Sequence, residues 1–186
     1  MRIHLIRHTT PDIDPGVCYG QTDLALTASF ENERETLLNK LNSSYDAVYT
    51  SPLQRCTLLA EYITGQQQIS DQRLLEYNFG DWEMLKWSEF KSEEAQLWMD
   101  NFVDQTAPNG ENMISMQKRV KEFWQELIQQ PFDQVAVVTH SGVMRIIHGL
   151  ILSTPLNNLF RLQLAFGAVL EVNSDLKTGS ITVKHL

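Results

Sequence analysis

Arg2-Ile3-His4-Leu5-Ile6-Arg7-His8-Thr9-Thr10 begins as an apolar, β-favouring run and ends in an arginine–histidine pair. A buried strand running out into a cation and an imidazole puts both at a sheet edge, where open α/β sheets bind ligands. A second run, Gln134–Thr139, ends the same way at His140, so adjacent strands would aim both imidazoles into one crevice. Along the rest of the chain strand candidates alternate with helix candidates, the pattern of an α/β fold with a largely parallel sheet. Strands are expected at 3–7, Ala47–Thr50 and Gln134–Thr139, with short ones at 160–164, 168–172 and 180–184. Turns are expected at Phe166-Gly167 and Lys177-Thr178-Gly179. Helices are expected at 30–41, with Phe30, Leu37, Leu38 and Leu41 inward, and at 88–102 and 142–152. Another opens with Pro52 in its first turn, runs to Ile63 and is ended by Gly65. In the helix expected at 113–128, Met113, Met116, Val120, Phe123 and Leu127 recur at helical spacing, which reads as core packing. Residues 8–26 form a Pro/Gly/Asp-containing loop, long enough to expect a functional role.

The 186 residues suit one domain able to bury a substantial core. No apolar run approaches the ~20 residues of a membrane span, and 2–8 is too short and polar for a signal-peptide core. A cytoplasmic location without membrane association is the resulting expectation. Cys18 and Cys56 lie far apart, outside any C-x-x-C spacing, and read as reduced thiols and not as a disulfide or zinc site. The 15 basic and 23 acidic residues leave a net charge of −8, which argues against a nucleic-acid partner. A cleft nonetheless focuses the field of the few charges that line it, so a phosphate pocket is compatible with an acidic surface.

Three further segments supply what Arg7-His8 needs: Thr50-Ser51-Pro52-Leu53-Gln54-Arg55, the stretch from Leu74 to Glu83, and Val137-Val138-Thr139-His140-Ser141-Gly142. Their order resembles that of the histidine phosphatase superfamily, the phosphoglycerate-mutase-like enzymes that pass through a phosphohistidine. Arg7-His8-Thr9-Thr10-Pro11-Asp12, followed by Cys18-Tyr19-Gly20-Gln21-Thr22-Asp23-Leu24, is similar in particular to the α-ribazole-5′-phosphate phosphatases of cobalamin assembly. The resemblance implies a three-layer α/β/α sandwich around a mostly parallel sheet. It also implies a single histidine phosphatase domain over 1–186, with 81–111 as a capping insertion, and a small phosphomonoester, α-ribazole 5′-phosphate above all, as substrate.

Phosphomonoester hydrolysis needs a nucleophile, cations for the phosphoryl oxygens and an acid for the leaving oxygen. His8 is the candidate nucleophile, its neutral form favoured by repulsion from Arg7 and Arg55. The two guanidinium forks match phosphate geometry. Arg55 stands in the first turn of a helix, where the dipole disfavours cations, and a phosphate would explain it. By resemblance, His140 hydrogen-bonds the phosphoryl group and Glu76 is the proton donor. An apolar setting from Leu74, Leu75, Phe79 and Trp82 is expected to raise the pKa of Glu76. Glu83 is the rival acid and otherwise a surface carboxylate. Gly20 and Gln21 are carried over as substrate-contacting residues. No histidine pair has metal spacing, and with two arginines supplying charge no metal or cofactor is expected.

Two departures stand out: Thr9-Thr10 replaces the family's usual residues after Arg-His, and Asp14 stands near where the family has an asparagine. An anionic carboxylate cannot replace an amide donor to phosphate, so no contact is carried over to it. His4 and His148 read as packed residues and His185 as exposed. Alternatives to the α-ribazole reading are a phosphatase of another small phosphometabolite, a phosphoglycerate mutase, and a non-catalytic phospholigand-binding module.

Overall fold

The computed structural model describes residues 1–42, 44–65, 67–175 and 178–186. Six strands form one sheet: β1 (Arg2–Arg7), β2 (Ala47–Thr50), β3 (Ile69–Ser70), β4 (Gln134–Thr139), β5 (Val169–Asp175) and β6 (Ser180–His185). Their order is β3-β2-β4-β1-β5-β6. The first four are mutually parallel, and β5 and β6 join antiparallel at one edge. The α/β class with a mostly parallel sheet is therefore as the sequence predicts.

Alternation along the strands divides the core in two. Ile3, Leu5, Val135, Val137, Leu170 and Val172 face α4 (Met113–Leu127) and α5 (Ser141–Leu152). Ile6, Val48, Ala136, Val138 and Val169 face α1 (Phe30–Leu38) and α2 (Gln54–Thr64). Period-two side-chain direction on strands buried from both sides produces this three-layer arrangement. The step that matters for the site is the pairing of β1 with β4, in which Arg7 lies opposite Thr139. His8 and His140 follow those residues, so both imidazoles emerge at the same end of neighbouring strands. Strand β2 flanks β4 on the other side, bringing Ser51 and the start of α2 to that edge.

Several elements differ from the sequence reading. Helix α1 stops at Leu38, which is 43% exposed, while Leu37 is buried. These neighbours lie ~100° apart around the helix, so only one joins the inward stripe. Pro52 precedes the N-cap residue Leu53 and is not in the first turn of α2, whereas Gly65 ends the helix with φ +59° as expected. The helix expected at 88–102 divides into a 3₁₀ turn, Trp87–Glu89, and the helix α3, Glu93–Asp100. The Ser92 hydroxyl caps α3 by accepting from the Ala95 N–H at 3.1 Å, with Glu93 and Glu94 in the first turn. Residues 160–164 are not a strand. Pro155 instead leads into a 3₁₀ segment, Leu156–Arg161.

Strand β3, two exposed residues long, was too short to carry a periodic signal. Gly167 turns with φ +67° and Gly179 with φ +71°. The expected turn at 177–179 lies partly outside the described residues, at Lys177. The loop after His8 runs to Ser29 without helix or strand and is tied by isolated bridges between Pro11 and Leu26 and between Val17 and Lys86. Among the described residues no helix is long and apolar enough to cross a membrane.

Candidate active site

His8 is 2% exposed, and its main chain is held on both sides: its N–H donates to the Thr139 carbonyl and its own carbonyl accepts from Gly167 N–H. Nδ1 lies 2.7 Å from the carbonyl of Thr9. A carbonyl can only accept, so Nδ1 carries the proton and Nε2 keeps its lone pair. Burial, before the charges of Arg55 and Arg7, holds the imidazole well below its ordinary range. Desolvation is thus the leading cause of its neutrality, where the sequence pointed to arginine repulsion. The ring of His140 meets that of His8 edge-on, with centroids 5.1 Å apart. His140 is fully buried, and its Nε2 is 2.8 Å from the Ser51 hydroxyl and 3.6 Å from Cys56 Sγ. Burial first, then His8, Arg55 and Arg7, keep it neutral as well.

The two arginines flank this pair differently. Arg7 donates Nη1 to the Leu164 carbonyl at 2.5 Å and stacks over Phe166, its Cζ 3.9 Å from the ring centre. Arg55 is fully buried and donates to the carbonyls of Gly20 (2.6 Å) and Thr22 (2.8 Å). It therefore anchors the loop following His8, a reason for its unfavourable place at the helix start that the sequence did not reveal. Among the described residues the Nε–H groups of Arg7 and Arg55 are both buried without a partner, a costly condition that an anionic oxygen would relieve.

Glu76 reaches the same region from the loop between two 3₁₀ turns, Gln72–Leu74 and Gly80–Trp82. Its carboxyl oxygens accept from the Gly142 N–H at 3.1 Å, the Ser141 hydroxyl at 3.3 Å and the Tyr77 N–H at 3.1 Å. The carboxyl therefore sits among donors at the N-terminus of α5, not in the apolar setting the sequence suggested. A Cβ on Gly142 would lie 2.2 Å from Glu76 Oε1, so glycine is what admits the carboxylate there. Arg145, one helical turn further on, donates to Ser141 Oγ at 3.1 Å and to the Leu162 carbonyl at 3.0 Å.

Arg7, His8 and Glu76 line one cavity of about 240 Å³, together with Tyr19, Ser141, Gly142 and Arg145. Its remaining wall is largely aromatic: Tyr77, Phe79, Trp87, Trp98, Phe102 and Phe160. Arg55 and His140, both fully buried, do not line it. Met113 and Met116 do, so the methionine end of the α4 stripe serves the cavity as well as the core. Gly20 and Gln21 are not in the wall. A Cβ on Gly20 would collide with the Tyr77 carbonyl at 1.8 Å, and the Gln21 amide donates to the Glu76 carbonyl at 3.0 Å. Both brace the site from outside. Glu83 is likewise occupied: it accepts from the N–H groups of Gln21, Thr22 and Phe79 and from the Thr22 hydroxyl.

Asp14 is exposed and away from the cavity. His4 packs against Tyr45, 2.8 Å from its hydroxyl, and His185 is exposed. Tyr19, Ser51 and Arg145 are the site residues the sequence did not single out. For Arg145 a signal existed: its i,i+4 relation to Ser141 puts both on one helix face. Among the described residues no three histidine, cysteine, aspartate or glutamate side chains gather as metal ligands.

A family model described as the histidine phosphatase superfamily (branch 1) matches residues 3–184. The chain belongs to that superfamily. The adenosylcobalamin/alpha-ribazole phosphatase of Escherichia coli (strain K12) is 28% identical to this histidine phosphatase over 190 residues, 96% of this chain and 93% of that protein. A putative phosphoserine phosphatase 2 of Hydrogenobacter thermophilus is 27% identical over 182 residues, 94% of this chain and 90% of that one. The crystal structure of the alpha-ribazole phosphatase from Shigella flexneri superposes with a TM-score of 0.90 at 25% identity, covering 100% of this chain and 96% of that one. The protein is a phosphatase hydrolase with the phosphoglycerate-mutase-like fold.

Proposed function

We propose that this histidine phosphatase hydrolyses a phosphomonoester whose alcohol carries a flat aromatic ring system, α-ribazole 5′-phosphate foremost, through a phosphohistidine on His8. The observation that carries this reading is the joining of Arg7, His8 and Glu76 to an aromatic wall in one cavity. Rings in such a wall offer faces and edges to a stacked heterocycle, worth ~0.5–1.5 kcal/mol per aromatic pair beyond area burial. The cavity volume of about 240 Å³ lies just under the ~300–1,000 Å³ common for small-molecule sites, a size for a metabolite and not for a folded phosphoprotein. The alpha-ribazole phosphatases among its relatives support the same choice.

The chemistry follows from the side chains. His8 Nε2, unprotonated because Nδ1–H is given to Thr9, attacks phosphorus. The P–O bond to the alcohol breaks, and Glu76 supplies the proton that the departing oxygen needs. Arg7 neutralises the phosphoryl oxygens from the cavity wall, and the buried Nε–H of Arg55 and the His140 imidazole, which adjoins His8, stabilise the charge that develops there. Glu76, now a carboxylate, takes a proton from the water that cleaves the N–P bond and returns His8 to its starting form. Residues 81–111 act as the cap of a single domain, contributing Trp87, Trp98 and Phe102 to the wall.

One observation favours a second reading. Arg145 is a cavity cation beyond the His8 cluster, suited to the carboxylate of a substrate such as phosphoserine. The two separate by kcat/KM on α-ribazole 5′-phosphate, phosphoserine and 3-phosphoglycerate. The aromatic reading requires preference for the first by at least tenfold, and a Trp87→Ala variant that raises KM for it alone. Preference for phosphoserine, lost in Arg145→Met, would replace it.

A further inference from the structure

Glu76 stands on a segment with no regular structure. Residues 75–79 connect two 3₁₀ turns, so their carbonyls have no ladder to satisfy them. One side chain takes over that task. Arg119, on α4, donates Nη1 to the carbonyls of Arg73 (2.8 Å) and Leu75 (2.7 Å), and Nη2 to the carbonyl of Glu76 itself (3.0 Å). Its remaining donors grip Glu111 in two bonds, Nη2 to Oε1 at 2.6 Å and Nε to Oε2 at 3.1 Å. Five bonds thus use the five N–H donors of the guanidinium. Glu111 continues the clamp: its Oε1 accepts from the Asn78 N–H at 2.9 Å, its own N–H donates to the Asn78 carbonyl at 3.0 Å, and its carbonyl accepts from the Tyr77 hydroxyl. The Glu76 carbonyl is also held from the opposite side by Gln21.

From this geometry we infer that Arg119, locked by Glu111, is a positioning residue for Glu76: it fixes the main chain from which the carboxyl reaches the Ser141–Gly142 turn. Neither Arg119 nor Glu111 lines the cavity, so both act through Glu76 and not on substrate. The inference rests on Glu76 being the proton donor proposed above. General acid–base efficiency depends on hydrogen-bond reach to the proton's destination, and misplacement by ~1 Å can cost on the order of 100-fold. Lysine, a point charge with three donors, cannot reproduce a five-donor fork.

The test is a double-mutant cycle on the first, phosphoenzyme-forming step, measured by rapid quench with ribose 5-phosphate and p-nitrophenyl phosphate. The alkyl ester needs a proton on its leaving oxygen, and the nitrophenolate needs it far less. Arg119→Lys should slow the step at least tenfold for ribose 5-phosphate and less than threefold for p-nitrophenyl phosphate. Added to Glu76→Gln, it should cost less than a further twofold, since there is no longer an acid to position. Glu111→Gln, which keeps shape and loses charge, should shift the two esters in the same sense, and it carries the test if Arg119→Lys does not fold. Equal losses on both esters, or full additivity with Glu76→Gln, would overturn the positioning role. If Glu76→Gln itself treated the two esters alike, the proton-donor reading would fall first and the clamp with it, a result distinct from failure of the clamp alone.

Discussion

Replacing Gly142 by alanine tests the site through a residue that carries no functional group. An added Cβ would stand 2.2 Å from Glu76 Oε1, 3.1 Å from Met116 Cε and 3.2 Å from Glu76 Cδ. The nearest of these atoms is the far end of a flexible side chain, so the carboxylate swings away and the helix stays. Alanine is the better helix former by up to ~1 kcal/mol, which partly offsets the loss of the two bonds from the Gly142 N–H and the Ser141 hydroxyl, ~0.5–1.5 kcal/mol each. Global stability should therefore change by no more than about 2 kcal/mol. Activity should not survive as well. Displacing a general acid removes the ~10²–10⁴ such groups contribute, roughly 3–5 kcal/mol of barrier at 1.36 kcal/mol per decade. The measurement pairs urea unfolding with single-turnover rates on ribose 5-phosphate and p-nitrophenyl phosphate. Gly142→Ala should resemble Glu76→Gln, with the larger loss on the alkyl ester. A variant that folds normally and turns over ribose 5-phosphate within threefold of the parent would show that the Gly142 contact does not set the proposed proton donor.

Three more outcomes are expected. His8→Ala should lower turnover by about three powers of ten, some 4 kcal/mol, and quenched parent enzyme should hold an acid-labile, base-stable phosphoryl group on His8; label on serine or cysteine would contradict the mechanism. Arg55→Lys gives up the fork that holds the Gly20 and Thr22 carbonyls. It should cost ~10²–10³ in kcat/KM and expose the 8–29 loop to limited proteolysis, and parent-like behaviour in both assays would remove Arg55 from the site. Finally, burial depresses His8 and His140 in the fold, so below about pH 6.5 the unfolded chain binds more protons than the folded one. Stability must then fall as pH falls, by up to about 1.4 kcal/mol per unit for each group. Urea unfolding at pH 7.5 and 5.5 checks the sign, and a protein more stable at pH 5.5 would show these imidazoles are not held neutral.

The central strands of the sheet could be read directly from the amino-acid order. The strands ending at Arg7-His8 and Thr139-His140 were legible because they are short apolar runs broken by polar residues. The alternation around them specified the α/β class. The candidate residues His8, His140, Arg7 and Arg55 could be read from residue type at the ends of these elements, whereas Glu76 entered only through the resemblance to the histidine phosphatases.

How these side chains are held depends on contacts between distant segments. Bonds from Arg55 to Gly20 and Thr22, and from Arg119 to three carbonyls around Glu76, join segments more than thirty positions apart, and no local period records such a pairing. The same holds for the surroundings of Glu76. Its apolar neighbours in sequence, Leu74 and Trp82, turn into the core, while the donors around it come from the start of α5. The break at Ser92 leaves no trace in hydrophobic spacing because a cap is one hydroxyl accepting one N–H. Side-chain periodicity reports which face of an element is buried. The partners of polar groups are chosen by folding, because a buried donor or acceptor must be satisfied by whatever the fold brings within reach.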